Sequence, residues 1–167
     1  MKMMIRSANE NDWAPFYEML CGLDSETAFM MYEPGERSDP GVLKSSLAGA
    51  KARGDFVIVA EEHAEIVGFL WAERGAPNRI RHTAYIVTGI RKAWQGKGIG
   101  TAFFGMLDDW ANQNGVLRLE LTVECNNTAA LHLYEKMGFA VEGRRRKAMR
   151  VSGEYIDEFY MGKLVEG

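Results

Sequence analysis

Residues 83–104 read TAYIVTGIRKAWQGKGIGTAFF, and the order of parts in this stretch decides the fold. Thr83 to Ile90 is rich in β-branched and aromatic residues and reads as a strand. Gln95-Gly96-Lys97-Gly98-Ile99-Gly100 follows, with glycine at every second position. From Ile99 the apolar period changes to helical, with Ala102, Phe103, Met106, Leu107, Trp110 and Ala111 on one stripe. Strand, glycine-rich loop and helix start together make a phosphate cradle. The first N–H groups of a helix lack partners, its dipole favours an anion, and glycine lets the backbone approach closely. The plainer reading of three glycines is a tight, flexible turn. A Walker loop fails because Gly98, not Ser or Thr, follows Gly96-Lys97. A dinucleotide loop fails because its third glycine arrives one position too soon.

Outward from the loop, Gly115 closes the helix and Val116 to Val123 alternates like a strand. Asn127 stands where an N-cap is wanted, ahead of Ala130, Leu133, Tyr134 and Met137 on one helical face. Gly138-Phe139 supplies the left-handed stop and the apolar residue after it. Strand-like runs around 139–150 and 155–164 are joined by Ser152-Gly153. On the N-terminal side, Phe56–Ala60 and Glu65–Ala72 read as a hairpin turning at Glu62-His63-Ala64. Earlier still, Met3–Ile5 is strand-like and Asn9–Leu20 helical. Residues 24–52 give a mixed signal, with helical patches at Phe29–Tyr32 and Val42–Ala50. The expected class is α+β, a mixed and mostly antiparallel central sheet flanked by helices, in a single domain over 1–167.

The chain has 47% apolar and 26% charged residues and a net charge of -3. That balance argues against a broad nucleic-acid face. No apolar run reaches the roughly 18 residues of a membrane span, and the N-terminus turns polar by residue 6. Cys21 and Cys125 read as free thiols, and the three histidines lack metal-ligand spacing. A cytoplasmic protein without metal, nucleic-acid or membrane partners is expected.

Gln95–Gly100 resembles the acetyl-CoA pyrophosphate loop of the GNAT family of N-acetyltransferases. A second block agrees: Asn127, Ala130, Leu133-Tyr134-Glu135-Lys136 and Gly138-Phe139 are similar to that family's N-x-x-A-x-x-L-Y-E-K-x-G-F signature. One helix and one strand separate the blocks, as that fold requires. The tail from Glu142 to Met161 resembles bacterial members, including those related to amino-acid and ribosomal-protein acetylation. The resemblance is strong over about 54–164 and looser before it.

The resemblance implies direct transfer of an acetyl group from acetyl-CoA, as co-substrate, to a primary amine. The acceptor would be a free amino acid, a small polyamine-like molecule or a protein N-terminus. It further implies that Gln95, Gly96, Lys97, Gly98, Ile99, Gly100 and Thr101 hold the pyrophosphate. Thr88, Gly89 and Ile90 would pair with the pantetheine arm as an added strand, and Asn127 and Tyr134 would also contact the cofactor. Gly89 suits a bulge or a close backbone approach. Tyr134 would act as general acid toward the leaving thiolate, since a phenol's pKa of about 10 lies near a thiol's ~8.5. On spacing alone Tyr134 is a half-buried aromatic on a core stripe.

An alkyl amine must also lose a proton before attack. His82, Glu120 and Glu124 are the candidate bases, each with a plainer structural or solvated reading, and the base stays unassigned. Cys125 as an acyl-accepting nucleophile is disfavoured. The run Arg144–Lys147 reads as exposed charge, with an acceptor carboxylate or the nucleotide phosphate as other partners. Acceptor choice is expected in residues 24–41, with Met30, Met31, Tyr32, Glu36 and Arg37 as lining. Homodimers are common in the family, though no surface pattern in the sequence shows one. The rival reading is a non-catalytic acyl-CoA-binding sensor or regulator.

Overall fold

Alternating runs rich in Val, Ile and Leu build one seven-stranded sheet, on which two pairs of helices bury their apolar stripes. The structure is a computed structural model describing residues 2–166; Met1 and Gly167, the ends of the expected domain, lie outside the described residues. In chain order the elements are β1 (Met4–Ser7), α1 (Trp13–Glu26), α2 (Pro40–Arg53), β2 (Phe56–Glu62) and β3 (Glu65–Arg74). They continue with β4 (Thr83–Ile90), α3 (Ile99–Asn114), β5 (Arg118–Glu124), α4 (Thr128–Lys136), β6 (Ala140–Val151) and β7 (Glu154–Leu164). The sheet order is β1-β2-β3-β4-β5-β7-β6. Every pairing is antiparallel except that of β4 with β5.

Strand alternation gives each sheet face its own core. Ile58, Leu70, Ile86, Leu119 and Leu121 meet Phe103, Phe104 and Leu107 of α3 and Tyr134 of α4 on one face. Val57, Val59, Ile66 and Phe69 meet Phe16, Met19, Leu20 and Leu23 of α1 and Leu47 of α2 on the other. The side chain of Asn9 accepts from Asn11 N–H and Asp12 answers the Asn9 N–H, capping the turn that leads into α1. Asp39 caps α2, Pro40 opens it and Gly54, at φ 80°, ends it.

One expectation is corrected, and of the two readings offered for Gly89 one is selected. Phe29–Tyr32 is not helical: α1 runs on to Glu26 and the chain then crosses irregularly to α2. Its apolar residues serve as packing and surface contacts, Met30 against the α1 core and Met31 exposed, rather than as a helix stripe. At Gly89 no bulge occurs, because the β3–β4 register is continuous from Gly68↔Ile90 to Arg74↔Ala84. The glycine marks a close approach: a Cβ there would lie 2.9 Å from Leu23 Cδ1 and 3.2 Å from Phe69 Cε1.

The parallel join decides where a ligand can sit. β4 and β5 pair only at Thr83↔Arg118, Ala84↔Leu119 and Tyr85↔Glu120, and beyond that the strands separate. The N–H of Arg91 is given to Val67 on β3. By alternation, the backbone groups of Ile86, Thr88 and Ile90 therefore turn toward the opening.

Candidate active site

The C-terminal halves of β4 and β5 form the walls of a split, and the glycine loop closes one end of it. Gly96 and Gly98 take φ of 72° and 85°, the left-handed region that favours glycine. Space is open where either Cβ would stand. Gly98 caps α3 with no side-chain hydrogen bond. None of the backbone N–H groups of residues 96–101 donates to a described residue, while Ala102 N–H closes the first helical bond to Gly98 O at 3.0 Å. Consecutive unpaired donors at the positive end of a 16-residue helix are what an anion requires. Gly100 has another reason to be glycine, since a Cβ there would stand 2.8 Å from Leu133 Cδ2 on α4.

The approach to the loop is fixed from both sides. The carboxylate of Glu26, at the end of α1, accepts from Arg91 Nε at 2.8 Å and from the Lys92 N–H at 2.9 Å. Trp94 Nε1 donates to Glu62 at 2.7 Å, and Gln95 Nε2 donates to the Ile90 carbonyl at 3.0 Å. The Gln95 side chain is thus a brace on the end of β4, while its neighbours keep their N–H groups free.

Tyr134 lies between the aromatic rings of Phe104 and Phe139, with centroids at 5.6 and 6.1 Å, and is 9% exposed. Burial first, and the nearby Tyr85 second, push its phenol up to about 12. Asn127 caps α4 through Oδ1, which accepts from Ala130 N–H at 3.3 Å. Two residues that sequence reasoning missed stand close by. Tyr85 and Thr122 join their hydroxyls at 2.7 Å across the split, just past the last ladder pair. Only strand alternation, which puts Tyr85 on the face away from α3, could have drawn attention to them.

Of the candidate bases, His82 is not brought here. It is exposed at the opposite end of β4, about 26 Å from Ile90 at roughly 3.3 Å per residue. There its carbonyl accepts from Leu117 and Arg118. Glu120 is paired with Arg118 at 2.8 Å. Glu124, the last residue of β5, is 4% exposed, and burial followed by the charge of Glu158 raises its pKa. Cys125 is a free thiol raised chiefly by burial, the wrong direction for a nucleophile.

The Arg144–Lys147 run is largely consumed within its own hairpin. Arg144 Nε donates to Asp157 at 2.7 Å, Arg145 reaches Glu158 at 3.5 Å, and the Lys147 N–H donates to Asp157. Between α1 and α2 lies a groove of about 310 Å³ lined by Tyr17, Leu20, Tyr32, Glu36, Arg37 and Val42, among others. Arg37 is anchored there by the buried Asp24 at 2.5 Å and by the Tyr32 ring, 4.4 Å from its guanidinium carbon. Tyr32, Glu36 and Arg37 thus share one groove; Met31 points outward at 76% exposure.

Comparison with known proteins was made on this geometry. The model of the acetyltransferase (GNAT) family matches residues 13–139. An L-amino acid N-acetyltransferase of Escherichia coli is 32% identical over 111 residues, 64% of this chain and 67% of that one. Mycothiol acetyltransferases that also match are covered over 31% or less of their length. Among solved structures, a GNAT acetyltransferase from Streptococcus pneumoniae superposes with a TM-score of 0.89 at 27% identity, over 99% of this chain and 100% of that one. The yncA structure from Salmonella typhimurium, solved with its cofactor acetyl-CoA, gives 0.86 at 23% identity, over 98% of this chain and 94% of that one.

Proposed function

The chain belongs to the GNAT acetyltransferase family, and from that premise we propose that it moves the acetyl group of acetyl-CoA directly to a primary amine. The observation that carries the reading is the run of unpaired N–H donors over 96–101, placed at the mouth of the β4–β5 split. The donors and the open space at Gly96 and Gly98 fit a pyrophosphate. The edge groups of Ile86 and Thr88 and the N–H of Ile90 fit an extended amide-bearing arm laid along β4 as an added strand. When bound, acetyl-CoA supplies a thioester, whose carbonyl is open to attack by a neutral amine.

The chain's own residues have three tasks. The loop and β4 position the donor and hold it across the split. Tyr134 is kept protonated throughout the neutral range by its burial. Against the rise in pKa that burial imposes, it gives its hydroxyl proton to the departing sulfur and regains one from the nitrogen that has gained the acetyl group. The groove between α1 and α2 receives the rest of the acceptor, as an amino acid, a small amine or a protein N-terminus.

The cofactor half of this reading is tested by thermal unfolding with acetyl-CoA, ATP and NAD in parallel. At a hundred-fold excess over Kd, acetyl-CoA should add about 2.7 kcal/mol of stability and the other two nothing. Equal stabilisation by all three would make the loop a general phosphate site. Replacing Tyr134 by Phe separates enzyme from sensor: turnover should fall while the acetyl-CoA response stays.

A further inference from the structure

Glu124 Oε2, sealed from solvent without a hydrogen-bond partner, belongs to the split already described. Its cationic counterpart lies elsewhere. Among the described residues, each half-buried arginine has a carboxylate partner except two. Arg6 is paired with Asp12, Arg37 with Asp24, Arg91 with Glu26 and Arg118 with Glu142. Arg74 and Arg81 have none. Arg74 ends β3 and Arg81 stands two residues before β4, so the turn between these strands brings them together. That turn is separated from Ile90 and the glycine loop by the full length of β4.

Both guanidiniums are held in place by backbone carbonyls. Arg74 Nε donates to the Arg81 carbonyl at 3.0 Å, and Nη2 donates to that of Asn114, the last residue of α3, at 2.8 Å. Arg81 Nη1 donates to the carbonyl of Arg53, the last residue of α2, at 2.9 Å and to that of Gly75 at 3.3 Å. Cations suit the ends of helices, which explains why these side chains stand here. The carbonyls bring no full negative charge, however, and they take two of the five N–H groups of each guanidinium. The nearby carboxylates are spent or turned away. Asp55, sealed from solvent, accepts from Arg53, from Trp71 Nε1 and from the Arg74 backbone N–H. Glu73 points to the other face of the sheet by strand alternation. Gly54 leaves room for the pair: a Cβ there would stand 2.8 Å from Arg81 Nη2 and 3.6 Å from Arg74 Cδ. Burial first, and the charge of Arg81 second, lower the Arg74 pKa, the direction expected of crowded cations without a counter-charge. Arg79, two residues before Arg81, is exposed and has no partner among the described residues.

We propose that Arg74 and Arg81, with Arg79 at the rim, bind a phosphate group at a site separate from the glycine loop. The chemistry selects phosphate over carboxylate. One guanidinium fork satisfies both oxygens of a carboxylate, whereas a phosphate has further oxygens for a second fork and a second charge to neutralise. Its binding would cross-link the ends of α2 and α3 to the β3–β4 turn. The site is independent of the transfer reaction and of the groove between α1 and α2.

The test is made on the full chain saturated with acetyl-CoA, so that the glycine loop is already filled. The probes are inorganic phosphate, pyrophosphate and glycerol phosphate, with sodium chloride at equal ionic strength and sodium acetate as controls. The phosphates should raise the melting temperature above either control. In the same titration the side-chain Nε–H signals of Arg74 and Arg81 should move in the NMR spectrum. Arg81→Gln and Arg79→Gln should each raise the dissociation constant about ten-fold or more while leaving stabilisation by acetyl-CoA unchanged. Arg79→Gln removes no contact within the described residues, and the NMR arm uses the wild type, so the test stands if Arg81→Gln does not fold. Equal affinity for glycerol phosphate would support a site for phosphate esters, and preference for the inorganic anions would support one for free phosphate. Unmoved Arg74 and Arg81 signals, an equal rise with chloride or acetate, or undiminished affinity in both variants would overturn the proposal. The NMR arm repeated without acetyl-CoA keeps this outcome distinct from a failure of the cofactor reading.

Discussion

Tyr134 and Glu124 are both ionisable groups whose pKa burial raises, and each leaves a signature in stability. Burial raises the Tyr134 phenol from 10.0 to about 12, so its protonated form is favoured in the folded state. Its contribution is fully present below pH 10 and is lost as pH rises toward 12. A two-unit shift corresponds to about 2.7 kcal/mol. Urea unfolding at pH 9 and pH 11 should therefore show a steeper loss for the wild type than for Tyr134→Phe. For Glu124 the direction is also upward, so the folded state loses stability as pH rises through the folded pKa. Glu124→Gln should be more stable than the wild type at pH 7, by about 1–3 kcal/mol if the unpaired oxygen is the cause. The difference should vanish below the ordinary carboxylate range. An equal gain at pH 3 and pH 7 would mean that packing, not charge, is responsible. The sequence marked Tyr134 through a motif, but left Glu124 as one of three bases. Nothing in the order of residues says that Arg118 takes Glu120, that Glu124 Oε2 is sealed without a partner, or that His82 stands at the wrong end of its strand.

The elements around the site are set by close approach. Gly89 lets α1 pack its Leu23 onto β4, so Gly89→Ala should cost about 1–3 kcal/mol through overpacking, read as a lower urea midpoint. Gly98, with its left-handed φ of 85°, should cost about 1–2 kcal/mol as alanine and should weaken acetyl-CoA binding as well. A binding loss without a stability loss would show that the open space, rather than the backbone conformation, is what the loop needs. Arg37 ties the segment between α1 and α2 to the buried Asp24. Arg37→Ala strands that carboxylate and should cost about 3–5 kcal/mol. Most elements were legible in advance because their periods were clean. β4 was placed at Thr83–Ile90, and the helix starting at Ile99 ends before Gly115 as expected. The segment after Glu26 was not legible, because Phe29 to Tyr32 offers helical spacing without a cap or a length that would sustain a helix.

At the scale of the whole molecule, a single parallel join in an otherwise antiparallel sheet opens the split, and α3 aims its N-terminus at the mouth of that split. This arrangement was foreseeable from the order strand, loop, helix and strand, with a family signature on either side. The local consequences were not, since the Tyr85–Thr122 clasp and the isolation of Glu124 arise only where the two strands diverge. The central claim is that the split brings a thioester and an amine together. It is tested most directly by mixing the protein with acetyl-CoA and a panel of alkyl amines, then following thiol release while identifying the product by mass. Thiol release that requires an amine, matched one for one by an N-acetylated product, is the expected result. Tight acetyl-CoA binding with no amine-dependent thiol release across amino acids, diamines and peptides would contradict it and leave a binding protein in place of an enzyme.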